Sequence, residues 1–163
     1  MSEAVLSLGA NLGDREKNLK NAVDALNRLP GTRVKQCSSL YETEPFGVGA
    51  GQPAYLNVCL QLETALSPHA LLGACLGIEA SAGRERIGVK SARVLDIDVL
   101  LYDALRQDEP ELTLPHPRMM ERAFVLVPLL EIYPEGEALG VSFQKELKGV
   151  DRSGVRLFRE KHF

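Results

Sequence analysis

The chain contains no tryptophan, only three cysteines and no excess of positive charge. Cys37, Cys59 and Cys75 lie far apart, so neither a C-x-x-C zinc site nor a disulfide framework is indicated. The net charge of −3 gives no general attraction to nucleic acid. The sequence also lacks a signal-peptide pattern and any run of about 20 apolar residues that could span a bilayer. We therefore expect a cytoplasmic protein with neither a nucleic-acid nor a membrane partner.

The length and composition are those of an ordinary globular protein. Hydrophobic residues make up 45% of the 163 residues and charged residues 25%. This balance is typical of a folded chain with one hydrophobic core. We expect one domain over residues 1–163, acting as a monomer.

Two carboxylates interrupt an aliphatic run, VLDIDVLL at residues 94–101. If the run is a strand, Asp96 and Asp98 point to the same face, roughly 6.5–7 Å apart at the backbone. Two like charges held this close in an apolar strand favour a compensating cation, and paired carboxylates suit Mg²⁺ bound to substrate phosphates. The alternative is two solvated aspartates on the wet face of a half-exposed strand.

A basic stretch precedes this acidic strand and contains Arg84, Arg86, Lys90 and Arg93. Arginine offers planar, permanently charged donors to phosphate oxygens, so the combination with Asp96 and Asp98 suits a polyphosphate. A solvated basic loop is the alternative.

Periodicity and capping signals predict the first elements of the chain. Residues 4–8 form a short strand, and Gly9, Asn11 and Gly13 indicate a turn with glycine at positive φ. Asp14 is expected to cap a helix that ends at Pro30-Gly31. Residues 33–43 contain mainly β-formers.

The next segments add a strand, a helix and the acidic strand. Residues 55–64 alternate in polarity and predict a half-buried strand. Ser67-Pro68 predicts the start of a second helix, which ends at Gly83. The acidic strand follows, so the element order is βαββαβ. This order predicts an α+β, ferredoxin-like sandwich, in which two helices cover one face of an antiparallel sheet.

The remaining residues form a C-terminal extension. Pro128 is expected to interrupt or start a helix within the apolar segment 124–132. Ser142 is a candidate cap for a short helix over 143–147, and residues 155–158 are a candidate last strand.

Several segments together resemble the 6-hydroxymethyl-7,8-dihydropterin pyrophosphokinases of folate biosynthesis. The resemblance covers roughly residues 4–134, in the order found in that family. The matching segments are LSLGANLGD at 6–14, SSLYETEP at 38–45, QPAYLN at 52–57, IE at 78–79, GR at 83–84, RVLDID at 93–98, LTLPHP at 112–117 and RAF at 122–124.

The resemblance implies transfer of pyrophosphate from ATP to the pterin hydroxymethyl group, with AMP as the second product. Asp96 and Asp98 would hold two Mg²⁺ ions, while Arg84 and Arg93 would stabilise the developing charge. The implied ATP-binding set is Glu79, Arg84, Arg86, Arg93, Thr113, His116 and Arg122. The implied pterin-binding set is Thr43, Glu44, Phe46, Tyr55, Asn57 and Phe124, with Tyr55 and Phe124 stacking on the ring.

One segment departs from the family, which commonly has Trp-Gly-Pro-Arg where this chain has Lys90-Ser91-Ala92-Arg93. Two other function classes stay open. RNA-recognition modules share the βαββαβ order, although the acidic balance and the lack of an aromatic-rich RNA-binding motif argue against one. A ligand-binding relative without catalysis is the other alternative.

Overall fold

The computed structural model describes residues 1–44, 53–83, 94–160 and 163. Within these ranges the strands are β1 (Ser2–Ala10), β2 (Thr32–Cys37), β3 (Leu40–Thr43), β4 (Tyr55–Thr64), β5 (Asp96–Tyr102), β6 (Gln107–Asp108), β7 (Thr113–Leu114), β8 (Glu137–Ala138), β9 (Val141–Ser142) and β10 (Val155–Arg159). The helices are α1 (Arg15–Asn27), α2 (Pro68–Ser81), α3 (Ala123–Ile132) and α4 (Gln144–Gly149), and a 3-10 turn spans Met119–Glu121.

Six strands form one antiparallel sheet, in the order β10-β3-β4-β1-β5. The short strand β2 also pairs with β4, so β2 and β3 share one side of that long strand. The central order places β1 between β4 and β5, as the βαββαβ pattern predicts for a ferredoxin-like sandwich. The predicted fold class is therefore confirmed.

The two predicted helices cover the first face of the sheet. Asp14 caps α1, since its carboxylate accepts the Lys17 N–H, and Ser67 caps α2 by accepting the Ala70 N–H. The side chains of α1 and α2 meet the aliphatic residues of β1 and β4, among them Leu6, Leu8, Leu60 and Leu62. This burial supplies the main hydrophobic contribution to stability.

A third helix covers the second face, so the expectation of a half-buried strand β4 is wrong. Asn57, Cys59 and Gln61 alternate with the leucines of β4, yet all three are buried. Cys59 is buried by α3, whose apolar side chains pack on the middle of this face together with Phe143. The helix also continues through Pro128, contrary to the expected interruption.

Two further local predictions differ from the structure. The segment 33–43 forms two strands rather than one, because the chain breaks at Ser38 and Ser39. The Ser38 hydroxyl donates to the Ser39 carbonyl oxygen and accepts the Cys59 N–H, which satisfies polar groups at the break. Ser142 does not cap α4, because it lies in β9 and the helix begins after Phe143 without a side-chain cap.

The predicted last strand is confirmed as β10, which pairs with β3. Cys59 and Cys75 are buried, as expected for small core residues. None of the helices within the described ranges has the length and apolar character needed to cross a membrane.

Candidate active site

A row of residues crosses three strands at one end of the second face. Asp96 on β5 lies opposite Gly9 on β1, and Gly9 lies opposite Asn57 on β4. Directly opposed residues of an antiparallel sheet point to the same face, and residues two apart on one strand do too. Asp96, Asp98, Tyr55 and Asn57 therefore share one face, as the sequence predicts.

The helix α3 covers the middle of this face but not its acidic end. Asp96 and Asp98 are half-buried, and the Asp98 side chain keeps 41% of its surface exposed. Further along β4, Cys59 lies under α3, with its Sγ 3.5 Å from the Val125 carbonyl oxygen. The two carboxylates thus remain accessible at the edge of a buried layer.

Asp98 contacts two residues of the C-terminal extension. Its Oδ2 lies 3.4 Å from Nη1 of Arg122, which directly precedes α3. Its Oδ1 lies 4.0 Å from Nε2 of His116. Two predicted ATP-site residues are therefore beside one of the two predicted metal ligands.

The surroundings of His116 favour the neutral form of its ring beside Asp98. Burial lowers the pKa of His116 below its ordinary value, although the Asp98 carboxylate acts in the opposite direction. The ring Nδ1 accepts the Arg118 N–H at 3.2 Å, so the proton of the neutral ring is on Nε2, the nitrogen nearer to Asp98. His116 can offer this N–H to an anionic group beside Asp98.

Glu79 lies beneath the acidic strand rather than on its open face. Its side chain comes from α2 and is 3% exposed. The carboxylate Oε2 accepts the Ile97 N–H at 2.8 Å, and Ile97 is the residue between the two aspartates. Glu79 therefore contacts the backbone that carries Asp96 and Asp98.

Two buried polar atoms on the same face have no hydrogen-bond partner within the described part of the chain. They are Oγ1 of Thr43 and Oδ1 of Asn57, and both residues are 4% exposed. Thr43 lies opposite Tyr55, two positions from Asn57 along β4. Buried acceptors or donors are rarely left unsatisfied, so this pair can bind a polar ligand.

Gly9 is a site residue whose role the sequence pattern did not indicate. It lies in β1 rather than in a turn, and the positive φ belongs to Gly13 instead. A Cβ atom at Gly9 would lie 3.0 Å from Nδ2 of Asn57. A glycine inside a strand often marks a place where another group approaches the backbone closely. This feature of the sequence could have identified Gly9 as a site residue.

The other predicted ligand residues that the structure describes are Phe124, Thr113 and Glu44, and each has contacts of its own. Phe124 is half-buried at the start of α3, with the Arg122 guanidinium 5.5 Å from its ring centre. The Thr113 hydroxyl donates to the Glu109 carbonyl oxygen at 3.1 Å. Glu44 is exposed and pairs with Arg156 at 3.0 Å. Phe46, Arg84, Arg86 and Arg93 lie outside the described residues.

Comparison with known proteins gives one consistent family. A model of the family "7,8-dihydro-6-hydroxymethylpterin-pyrophosphokinase (HPPK)" matches residues 5–134. A 2-amino-4-hydroxy-6-hydroxymethyldihydropteridine pyrophosphokinase of Methylorubrum extorquens is 43% identical over 155 residues, covering 95% of this chain and 98% of that protein. The protein of the same name in Bacillus subtilis is 38% identical, covering 97% of this chain and 91% of its own length.

Solved structures agree with this fold. The wild-type HPPK-DHPS of Plasmodium falciparum with SDX-DHP matches with a TM-score of 0.67 at 14% sequence identity. The match covers 91% of this chain but 43% of that one, so this chain spans less than half of the larger protein. At this identity the similarity concerns the fold alone.

Proposed function

This chain belongs to the 7,8-dihydro-6-hydroxymethylpterin-pyrophosphokinase family, and from that premise we propose how its residues carry the reaction. The enzyme transfers pyrophosphate from ATP to the hydroxymethyl group of 6-hydroxymethyl-7,8-dihydropterin, in folate biosynthesis. The observation that carries this function is the end-to-end match to pyrophosphokinases of similar length.

The chemistry requires an in-line displacement at the β-phosphorus of ATP. The hydroxymethyl oxygen forms a bond to that phosphorus and its hydroxyl proton is released, while the bond to the α,β-bridging oxygen breaks and AMP leaves. Reactions of this type depend mainly on orientation and on stabilisation of phosphate charge. The protein therefore needs an anion site beside a pocket that holds the pterin alcohol.

Asp96 and Asp98 are the proposed ligands of two Mg²⁺ ions. The assignment is supported by their common face, their half-buried carboxylates and the preference of Mg²⁺ for carboxylate and phosphate oxygens. When bound, magnesium would neutralise phosphate charge and orient the triphosphate. The aspartates supply the oxygen ligands, and Arg122 restrains Asp98.

Arg122 and His116 are proposed to bind ATP phosphates beside this metal site. This assignment is supported by their proximity to Asp98, the permanent charge of Arg122 and the Nε2–H that a neutral His116 carries. Thr113 completes this part of the proposed ATP set, and Glu79 is proposed to act on it from beneath β5, through the backbone that carries Asp96 and Asp98. Arg84 and Arg93 are proposed to clamp the triphosphate and stabilise charge in the transition state, and Arg86 is proposed to line the ATP site.

The pterin is proposed to lie over the Thr43–Asn57 end of the row. The unpartnered Asn57 Oδ1 can accept from a ring N–H, and the Thr43 hydroxyl can donate or accept. Tyr55 and Phe124 are proposed to stack on the ring faces, which suits their half-buried rings. Glu44 and Phe46 complete the proposed pocket.

A nucleotide-product assay tests the function directly. Purified protein is incubated with ATP and Mg²⁺, with and without hydroxymethyldihydropterin, and the nucleotides are separated. We expect AMP only when the pterin is present. Formation of ADP, or formation of AMP at the same rate without the pterin, would contradict the proposal. Tight binding of both substrates without product would favour the non-catalytic alternative.

A further inference from the structure

The helix α3 crosses the second face from the edge strand β5 to β3. Its ten residues span about 15 Å, close to the roughly 14 Å between four neighbouring strands. Arg122, at one end, contacts Asp98 on β5. Glu131, near the other end, contacts the segment that includes β3.

Glu131 receives three hydrogen bonds from this segment. Its Oε2 accepts the Ser39 N–H at 2.8 Å and the Ser39 hydroxyl at 3.1 Å. Its Oε1 accepts the Tyr41 hydroxyl at 2.7 Å. Hydrogen bonds to a partly buried carboxylate are stronger than neutral ones. Burial and the Glu131 contact raise the pKa of Tyr41, so the phenol remains a donor.

The strand that Glu131 holds carries part of the proposed pterin pocket. Tyr41 lies directly opposite Asn57, and Thr43 lies two residues further along β3. The four residues of β3 pair with three positions on β4 and with four on β10, and the Tyr41–Glu131 hydrogen bond joins this strand to α3. Phe124, the proposed stacking residue, is on the same helix as Glu131.

We propose that Glu131 is a positioning residue for the pterin pocket. Through its hydrogen bonds with Ser39 and Tyr41, it fixes the position of β3 relative to α3. The carboxylate thereby sets the separation between the polar pair Thr43 and Asn57 and the ring of Phe124. This inference rests on the proposed function, because that function assigns the pterin to this pocket.

Steady-state kinetics of three variants test the inference, with the Michaelis constant (KM) measured separately for pterin and ATP. Glu131→Ala removes all three acceptor contacts, and Tyr41→Phe removes one donor. We expect Glu131→Ala to raise the pterin KM by about tenfold and Tyr41→Phe by roughly threefold, with the ATP KM within about twofold of wild type. Glu131→Gln keeps an acceptor for Ser39 and should restore most of the pterin affinity.

Thr32→Val is the matched control for a general loss of stability. It removes the buried hydrogen bond between Thr32 and Thr64. Thr64 is seven residues from Asn57 along β4, or about 23 Å. We expect this variant to unfold at lower urea concentration while its pterin KM stays at the wild-type value.

Two results would overturn the inference. One is a Glu131→Ala or Tyr41→Phe enzyme that loses stability while its pterin KM is unchanged. The other is an equal rise in both KM values. If Glu131→Ala does not fold, Tyr41→Phe and Glu131→Gln decide the outcome. Failure of the proposed function itself would be visible separately, as a wild-type protein that forms no pterin-dependent AMP.

Discussion

The buried carboxylate of Glu79 accepts the backbone N–H of Ile97 at 2.8 Å. Among the strands of the described residues β5 is the last in the sheet, so alternate N–H groups on its outer side have no neighbouring strand there. Ile97 presents such a group between Asp96 and Asp98. The side chain from α2 therefore fixes the edge of the sheet at the point where the proposed metal ligands emerge.

Replacing Glu79 by leucine should lower the free energy of unfolding and raise the Mg²⁺ concentration that the enzyme needs. Leucine leaves the Ile97 N–H buried without its acceptor, which costs about 1–3 kcal/mol. We expect a corresponding loss in the free energy of unfolding, measured with urea. We also expect half-maximal activity to require more Mg²⁺, because Asp96 and Asp98 lose their common support.

Glu79→Gln is the matched control for this prediction. Its amide oxygen can still accept the Ile97 N–H, so it should be more stable and need less Mg²⁺ than the leucine variant. Equal behaviour of the two variants would show that the hydrogen bond to Ile97 does not position the strand.

Gly9→Ala should weaken pterin binding selectively. The new Cβ would lie 3.0 Å from Nδ2 of Asn57, closer than an ordinary contact, so the amide must shift. We expect the dissociation constant of the pterin to rise several-fold, with ATP binding unchanged, in calorimetric titrations.

Gly77→Ala is the control for adding a methyl group. A Cβ at this exposed position of α2 meets nothing within 4 Å, and alanine favours a helix interior. It should stabilise the protein by roughly 0.5–1 kcal/mol and leave pterin binding intact. Normal pterin binding by Gly9→Ala would remove Asn57 from the proposed pocket.

Asp96→Asn and Asp98→Asn should each nearly abolish turnover without unfolding the protein. Asparagine keeps the shape but removes the negative charge that a divalent cation requires. A metal site contributes several kcal/mol to transition-state stabilisation, so we expect kcat to fall by about a thousandfold. AMP release measures the loss, and circular dichroism checks the fold.

Asp24→Asn on α1 makes the same chemical change at another half-buried aspartate, which pairs with Lys20 away from the site. This control should retain wild-type activity. Full turnover in either site variant would exclude that aspartate as an essential metal ligand.

Much of the fold could be predicted because local patterns dominate it. The alternation of polar and apolar residues predicted β4 at Tyr55–Thr64. The residue types of Asp14 and Ser67 predicted the two helix caps. The third layer was not predictable in this way. The polar positions of β4 predicted a solvent-exposed face, and only tertiary packing brings α3 over Cys59.

The site shows the same division between local and tertiary information. A period of two was enough to place Asp96 and Asp98 on one face. Their alignment with Gly9 and Asn57 depends on the register of three strands, which no local pattern contains. Likewise, a glutamate near the end of α2 gives no sign that its carboxylate is buried against a strand.

The β3–β10 side of the sheet should lose stability in acid because of Glu42. This carboxylate accepts hydrogen bonds from Arg15 and Arg156, each at 2.9 Å. The hydrogen bond from Arg156 is the main cause that lowers the pKa of Glu42, with Arg15 adding to it. A lowered pKa means that the charged form is favoured by folding, so the stabilisation is present above the ordinary pKa.

Comparison of wild type with Glu42→Gln over a range of pH measures this contribution. Wild type should be more stable at pH 7, and the difference in unfolding free energy should shrink as the pH falls from 4.5 through the lowered pKa of Glu42. Glu137→Gln makes the same change in the separate β8–β9 hairpin and controls for loss of a carboxyl group. Arg15 also donates to the Ala54 carbonyl oxygen at 2.8 Å. Its acid-sensitive ion pair with Glu42 is therefore connected to the residue before Tyr55. A difference between wild type and Glu42→Gln that does not change with pH would show that the arginine contacts do not stabilise the folded state through the charge of Glu42.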